Sequence, residues 1–467
     1  LLVIELTYTS RYFVAEKTFK AVDVYEQRGR PGGLWNHTVS STKDGLFQVP
    51  NVNPITPAER SVGGRDVFVS PIYDSLEVNI PHPMMAYSDF PFAEGIPLFP
   101  GHAEVLRYLE HYSEDVAECI QFSTQISEVC LVEEIETKNG TIEATWKVHG
   151  VNLLSGEQFK RDYDAVVVAN GHYAVPFIPD IPGLKVWQSQ FPESIAHSKY
   201  YRTPDRFKDK RVIVVGSSAS GLDIASHLTE VCKTPVYQSQ KSVSELARGF
   251  MDNPNIQTVG QIARLIPDGR KAILIDGTEI DAVDAIIFCT GYFYSFAFLQ
   301  NLKPSPIVEG AMVHGTYQHV FFTPHPSLCF LSLPQKVIPF PIAEAQAAVV
   351  ARVYSGRLSF PSASVMREWE ARQLRKSASS DRFHVFDSLE DGKYINFLVE
   401  WALRAKRRDQ LEKQGQGKIP EGWNPEKFWI RERIGIMRRA FAARGEARHQ
   451  VTTFEELGIK YESTDSQ

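Results

Sequence analysis

Apolar residues along this chain keep two rhythms. In HAEVLRYLEHYS, His102–Ser113, they recur every three or four positions, which predicts a helix with one buried face. In RVIVV (Arg211–Val215), AVVVA (Ala165–Ala169) and AIIFCTGY (Ala285–Tyr292) they run unbroken over the length of a strand. Such runs suit central strands of a parallel sheet, whose two faces are both covered. Segments at Ile126–Glu134 and Ala144–Val148 predict further strands, and KAVDVYE at Lys20–Glu26 predicts one that ends on an acid. From GRPGGLWN to about Tyr73 the chain is rich in Gly and Pro, which predicts loops. After Pro341, EAQAAVVARVYSG predicts a helix, and most of the remainder is helical and highly charged.

The most legible unit runs from Arg211 to Ser239: strand RVIVV, turn GSSASG, helix LDIASHL, strand PVYQS. This is the βαβ pattern of a dinucleotide site. Gly216 and Gly221 take the outer positions of GxGxxG, with Ser218 at the middle one and Ala219 and Ser220 between. Small residues there let phosphate oxygens reach the N–H groups at the helix start. A plain strand–turn–helix without ligand is the alternative. NAD sites usually carry an acid at the end of the second strand, for the ribose 2′-hydroxyl. Here the sequence is Gln238-Ser239-Gln240-Lys241, which tolerates a 2′-phosphate and favours NADPH. Ser239 and Lys241 are the candidate partners, although Lys241 also fits a solvated loop. Glu26 is the complementary case, since an acid closing a strand suits the ribose of a dinucleotide without a 2′-phosphate, such as FAD.

The expected fold class is α/β, with two Rossmann-like dinucleotide-binding domains and a helical C-terminal region. An NADPH domain at 183–300 is inserted in a discontinuous FAD domain, 1–182 and 301–467. The net charge of −6 argues against a protein that works by binding nucleic acid phosphates. Five scattered cysteines without a CxxC pair suggest reduced thiols in a cytoplasmic protein and offer no metal site. No apolar run reaches the roughly 18 residues of a membrane span.

Several segments together resemble the flavin-containing monooxygenase family, most closely its soluble fungal members. Phe191–Tyr201, FPESIAHSKYY, is similar to the family fingerprint FxGxxxHxxx[F/Y]. MMAYSDFPF (Met84–Phe92), YDSLEVN (Tyr73–Asn79), FCTGY (Phe288–Tyr292) and GGLW each resemble a family segment, with Val78 where threonine is usual. The resemblance implies FAD and NADPH as cofactors. NADPH reduces the flavin, O₂ adds to form a C4a-hydroperoxide, and a soft nitrogen or sulfur centre of a small amine or sulfide takes the oxygen. Glu26, Gly32, Gly33, Leu34, Trp35, Asn79, Asn170, Gly171 and Gln346 make up the expected FAD site. Asn79 is also the expected catalytic side chain, a neutral amide beside the flavin; its alternative is a turn asparagine before Pro81. Gln346 is alternatively an ordinary first-turn glutamine. His197 is expected to be structural.

Two departures stand out. Glu193 replaces the fingerprint glycine, so a left-handed backbone there would be costly. By family spacing back from Glu26, the first glycine turn falls at Leu1, Val3 and Leu6, where LLVIEL has no glycine. The expectation is a missing first strand, an altered beginning and weak FAD binding. A Baeyer–Villiger monooxygenase is the enzyme rival, although its fingerprint ends in Trp followed by Pro or Asp rather than Tyr201–Arg202. A non-catalytic NADPH-binding protein is the rival of another class, and a homodimer is left open. The stripe Ile430, Ile434, Met437, Phe441 lies on an arginine-rich helix. It suits packing against the FAD domain or, alternatively, lying on a membrane surface.

Overall fold

Runs of β-branched residues, apolar on both sides, become the centres of two parallel sheets. The computed structural model describes residues 2–4, 10–39, 47–55, 68–136, 142–241 and 253–462. The chain divides into two compact units: residues 1–35, 77–172 and 296–467 form the first, and 36–76 with 173–295 form the second.

In the first unit β1 (Leu2–Ile4) lies between β2 (Asp23–Tyr25) and β7 (Val166–Val168), parallel to both, with Val3 opposite Val24 and Val167. β3 (Ile120–Gln121) pairs with β2, and β20 (Leu328–Phe330) pairs with β7, again in parallel. β19 (Phe321–Phe322) and β18 (Thr316–Tyr317) close the seven-stranded sheet in antiparallel fashion. The first strand is thus present, against expectation. Val3 is a strand residue and not part of a turn, because the connection from β1 to β2 is shorter than the family spacing assumed. Residues 5–9, which follow β1, and Leu1 lie outside the described residues, so the expected glycine positions Leu1 and Leu6 fall there.

A separate antiparallel sheet is built from β4 (Thr124–Glu136), β5 (Ile142–Asn152) and β6 (Gln158–Tyr163). α1 (Ser10–Ala15), α2 (His82–Met85) and α3 (His102–Ser113) precede it, and α3 has the predicted bounds. α6 (Pro339–Tyr354) starts before its predicted point, because prolines are tolerated in a first turn whose N–H groups have no helical partner. It is buried from Phe340 through Val353, as a helix apolar on every side must be. α7 (Ala363–Ser377), α8 (Glu390–Leu403) and a last helix, Pro425–Ala442, complete the unit. Ile430, Ile434, Met437 and Phe441 are all buried in the same core as Phe13, Val24 and Leu109. Packing, not a membrane surface, therefore accounts for the stripe, and among the described residues no helix is long and apolar enough to cross a membrane. Glu16 and Arg357 form a fully buried pair at 2.7 Å, which Ser355 completes with a hydroxyl bond of 2.8 Å.

The second unit carries a five-stranded, fully parallel sheet ordered β12 (Ile256–Val259), β11 (Val236–Ser239), β10 (Val212–Val215), β16 (Ala285–Phe288), β9 (Ile195–His197). β13 (Ile262–Ile266), β14 (Lys271–Leu274) and β15 (Glu279–Ile280) form an antiparallel sheet, and β8 (Val175–Pro176) pairs with β17 (Tyr292–Phe293). α4 (Leu184–Gln190) precedes β9, and α5 (Ala219–Leu228) joins β10 to β11. Residues 36–76, expected with the first unit, group with this one, and hydrogen bonds explain why. Arg202 donates to the carbonyls of Thr38 at 2.7 Å and Ser70 at 2.8 Å, and Asn51 exchanges backbone bonds of 3.0 Å with Ile178.

Candidate functional site

The nucleotide turn of the second unit is built by close backbone approach. Gly216 has φ 119°, and a Cβ on it would stand 2.4 Å from the carbonyl oxygen of Cys289. A Cβ on Gly221 would stand 2.2 Å from the carbonyl oxygen of Gly216. The first glycine therefore allows the tight turn after β10, and the second lets α5 lie against that turn. The Gly216 N–H donates to Ser239 O at 2.8 Å, which fixes the turn to β11. Ser218 is the N-cap of α5, but its side chain makes no capping bond, and Ser218, Ala219 and Ser220 are exposed. Ser218 thus leaves the first N–H groups of α5 uncapped by its own side chain, as suits a phosphate-binding helix start.

Ser239 departs from its expected role. Its side chain is buried and its hydroxyl donates to Gly260 O at 3.0 Å, so it has no proton left for a phosphate. Lys241 is exposed just past β11, beside Gln240. With Thr258 and Asp276 these two line one side of an open groove. Gln238, not singled out from the sequence, turns its amide toward Gly216 O at 3.4 Å.

The fingerprint residues are structural knots of the same unit. The imidazole of His197 is fully buried, accepts at Nδ1 from the Lys199 N–H (3.1 Å), and so donates from Nε2 to Gly291 O (3.1 Å). Burial lowers its pKa to about 3, which keeps it neutral and unsuited to act as a base. Glu193 is exposed and is not among the residues with left-handed backbone, so its replacement of glycine costs no strain.

In the first unit Glu26 follows β2 directly and is almost wholly buried. Burial pushes its carboxyl up to about 7, opposed by the Arg28 N–H donating to Oε1 at 2.7 Å. A buried acceptor at the end of the second strand fits a ribose hydroxyl, so this end of the unit suits FAD. Gly32 (φ 102°) and Gly33 (φ 50°) turn the chain into a short 3₁₀ segment, Gly33–Trp35, in which Leu34 and Trp35 are half-buried. The Trp35 ring meets Phe340 edge-on at 6.4 Å. Asn170 and Gly171 leave the end of β7, and Gly171 (φ 68°) has open space around its missing Cβ, so backbone conformation, not crowding, calls for glycine.

Asn79 is exposed between buried Val78 and half-buried Ile80. It does not cap α2, whose N-cap is Pro81. Gln346 lies in the middle of α6, not in its first turn, and is fully buried. Its amide accepts from the Ser332 N–H at 2.7 Å and donates to Tyr394 Oη at 3.1 Å, so both ends are engaged inside the protein. Sequence reasoning also missed Glu344, a buried carboxyl that gathers the Tyr12 hydroxyl at 2.8 Å and the Ser88 hydroxyl at 2.7 Å. Ser88 belongs to the SDFPF segment, whose aromatic members stack on α3, Phe92 on Tyr108 at 3.9 Å. Burial raises the pKa of Glu344. Its partners lie so far away along the chain that only the fold reveals them.

Two α/β nucleotide-binding units, with an acid closing the second strand of one and none closing that of the other, define the class of two-dinucleotide flavoprotein oxidoreductases. The flavin-binding monooxygenase-like family matches residues 63–253 and 256–411, and the chain belongs to that family. A flavin-containing monooxygenase of Arabidopsis thaliana, GS-OX-like 9, is 36% identical over 396 residues, 81% of each chain. A thiol-specific monooxygenase of Saccharomyces cerevisiae is 35% identical over 298 residues, 61% of this chain and 65% of that one. Among solved structures, S-allyl-L-cysteine S-oxygenase from Allium sativum has a TM-score of 0.75 at 26% identity, covering 98% of this chain and 96% of its own. A cyclohexanone monooxygenase, at 13% identity and a TM-score of 0.53, shares the fold alone. The chain is accordingly a flavoprotein monooxygenase, and FAD and NADPH, expected from its residues, are the cofactors of its family.

Proposed function

We propose that this chain uses NADPH and O₂ to oxygenate a soft nucleophilic centre, nitrogen or sulfur, of a small molecule, with sulfur the first centre to test. The observation that carries the nucleotide choice is the end of β11, where Gln240 and exposed Lys241 stand in place of the acid that would repel a 2′-phosphate. Sulfur is favoured by the relatives, two of which are named for thiol and S-allyl-cysteine oxygenation. When bound and reduced, the flavin supplies the activation of oxygen; the protein supplies binding, orientation and a dry site. Gly216, Gly221 and the start of α5 would hold the NADPH pyrophosphate, and Lys241 would pair with the 2′-phosphate. Glu26 would accept from the FAD ribose, and the 32–35 turn with Asn170 and Gly171 would line the flavin nucleotide. Asn79 would offer a neutral amide that donates and accepts without contributing an acidic proton.

The test compares NADPH with NADH as reductant, and a thiol, a thioether, a tertiary amine and a cyclic ketone as substrates, with product identified for each. Faster NADPH oxidation coupled to sulfur or nitrogen oxide is the expected result. Equal use of the two reductants would sink the Lys241 assignment, and ester formation from the ketone as the main product would favour the Baeyer–Villiger reading.

A further inference from the structure

We propose that Glu77 is a positioning residue for Asn79, clamped by two arginines from the C-terminal segment, and that this clamp controls how much consumed NADPH ends in oxygenated product. The inference rests on the role given above to Asn79. No helix or strand holds Asn79, so its position depends on its neighbours. On one side the Val78 N–H donates to Pro100 O at 3.0 Å, and Glu77 forms an antiparallel bridge with Gly101. On the other, the Glu77 carboxylate accepts from Arg438 Nη1 at Oε2 and from Arg448 Nε at Oε1, both at 2.9 Å. His449 Nδ1 lies 3.7 Å from the same carboxylate.

These cations are themselves fixed. Arg438 belongs to the last helix, between buried Met437 and Phe441, and its guanidinium lies over the Phe99 ring at 5.4 Å. Arg448 sits in the turn Gly445–Gln450, and beyond it Val451 O accepts from the Leu98 N–H at 2.8 Å. Glu77 keeps only 13% of its side-chain exposure. A carboxylate held by two charged donors in a mostly covered site has a defined position, unlike a lone surface pair. Asn79 stands two residues on from that anchor. An error of about 1 Å in the place of a reacting group costs about 10²-fold in rate, so a loosened anchor acts on oxygen transfer, the step that needs Asn79.

The experiment uses the full flavoprotein with Asn79→Ala, Glu77→Gln, Arg448→Ala and Arg448→Lys. It measures bound flavin and thermal melting of each variant, and then oxygenated product, H₂O₂, NADPH and the rate of flavin reduction. Glu77→Gln and Arg448→Ala should each lower the product-to-H₂O₂ ratio on the order of tenfold, with a much smaller change in flavin reduction, and Arg448→Lys should recover part of the loss. If Asn79→Ala uncouples while both clamp variants keep the wild-type ratio, the clamp inference is wrong and Asn79 stands. If Asn79→Ala itself keeps the ratio, the Asn79 assignment fails and the clamp with it. A parallel fall in flavin reduction in the clamp variants marks Glu77 as a fold residue only and overturns the proposal. Should Glu77→Gln lose its flavin, Arg448→Ala decides, because Arg438 still neutralises Glu77 there.

Discussion

Replacing Gly221 by alanine tests the nucleotide turn at its tightest contact. The new methyl would lie 2.2 Å from Gly216 O, 2.9 Å from Gly216 C and 3.5 Å from Cys289 Cβ. An ordinary contact is about 3.5 Å, so α5 must retreat from the turn by about 1 Å. Overpacking of this kind costs about 1–3 kcal/mol, while alanine in place of glycine returns up to about 1 kcal/mol of helix propensity. The net loss of stability is then about 0–3 kcal/mol, and the fold survives. Binding suffers more, because α5 carries the N–H groups that meet the pyrophosphate. Losing one charged hydrogen bond, about 1.5–3 kcal/mol, raises the NADPH Kd about 10- to 100-fold. Gly435→Ala, in the last helix of the other unit, is the control: its Cβ would meet only Arg439 Nη1, at 3.7 Å. The assay is NADPH titration by fluorescence, with thermal melting of the same samples. Wild-type affinity together with an unchanged Tm in Gly221→Ala would refute the close-approach argument.

Asn79→Ala should lower the ratio of product to H₂O₂ about 30- to 1,000-fold, the equivalent of about 2–4 kcal/mol for one lost donor; unchanged coupling would leave Asn79 as a loop residue. Lys241→Ala should weaken NADPH about tenfold, for one charged contact of about 1.5 kcal/mol, and leave NADH alone. An equal loss for both nucleotides in isothermal titration would contradict the 2′-phosphate role. Acid should unfold the chain early. Burial lowers the pKa of His172 to about 4 and those of His197 and His319 to about 3, against an ordinary 6.5. Stability is therefore full above pH 6.5 and is lost as pH falls toward 3, by about 1.4 kcal/mol per pH unit for each histidine. A urea midpoint that is no lower at pH 5 than at pH 7 would rule this out.

What the sequence disclosed follows from how local each signal is. α3 was readable to the residue because a helix with one buried face writes its period into His102–Ser113. β10, α5 and β11 were readable because a buried strand, a run of small residues and a helix follow one another without interruption. The β13–β15 sheet was missed although Pro267-Asp268-Gly269 and Asp276-Gly277 mark its turns. β1 was missed for another reason: its place was inferred from the family spacing back from Glu26, and the pairing of Val3 with Val24 shows a shorter connection than that spacing. Of the candidate site, the glycines were legible because backbone geometry demands them. Ser239 was not, because the direction of its hydroxyl depends on Gly260, just past the neighbouring strand β12. The surroundings of Gln346 were not legible for the same kind of reason, since Ser332 and Tyr394 engage its amide only after folding.

The ends of two second strands explain how one chain can direct two adenine dinucleotides to different places. At β2 the strand is followed directly by Glu26, whose carboxylate would accept from a ribose hydroxyl and repel a 2′-phosphate. FAD has no such phosphate, so on the proposed reading the acid would favour it there and turn NADPH away. At β11 no acid follows, Gln238 and Ser239 face inward, and the exposed charge is Lys241. On the proposed reading a 2′-phosphate would be tolerated in that unit and would gain a cation, so sorting would rest on the residues at each strand end and not on a difference in fold. Because burial pushes Glu26 up to about 7, the repulsion would be present above that pH and fade below it as the carboxyl takes up a proton.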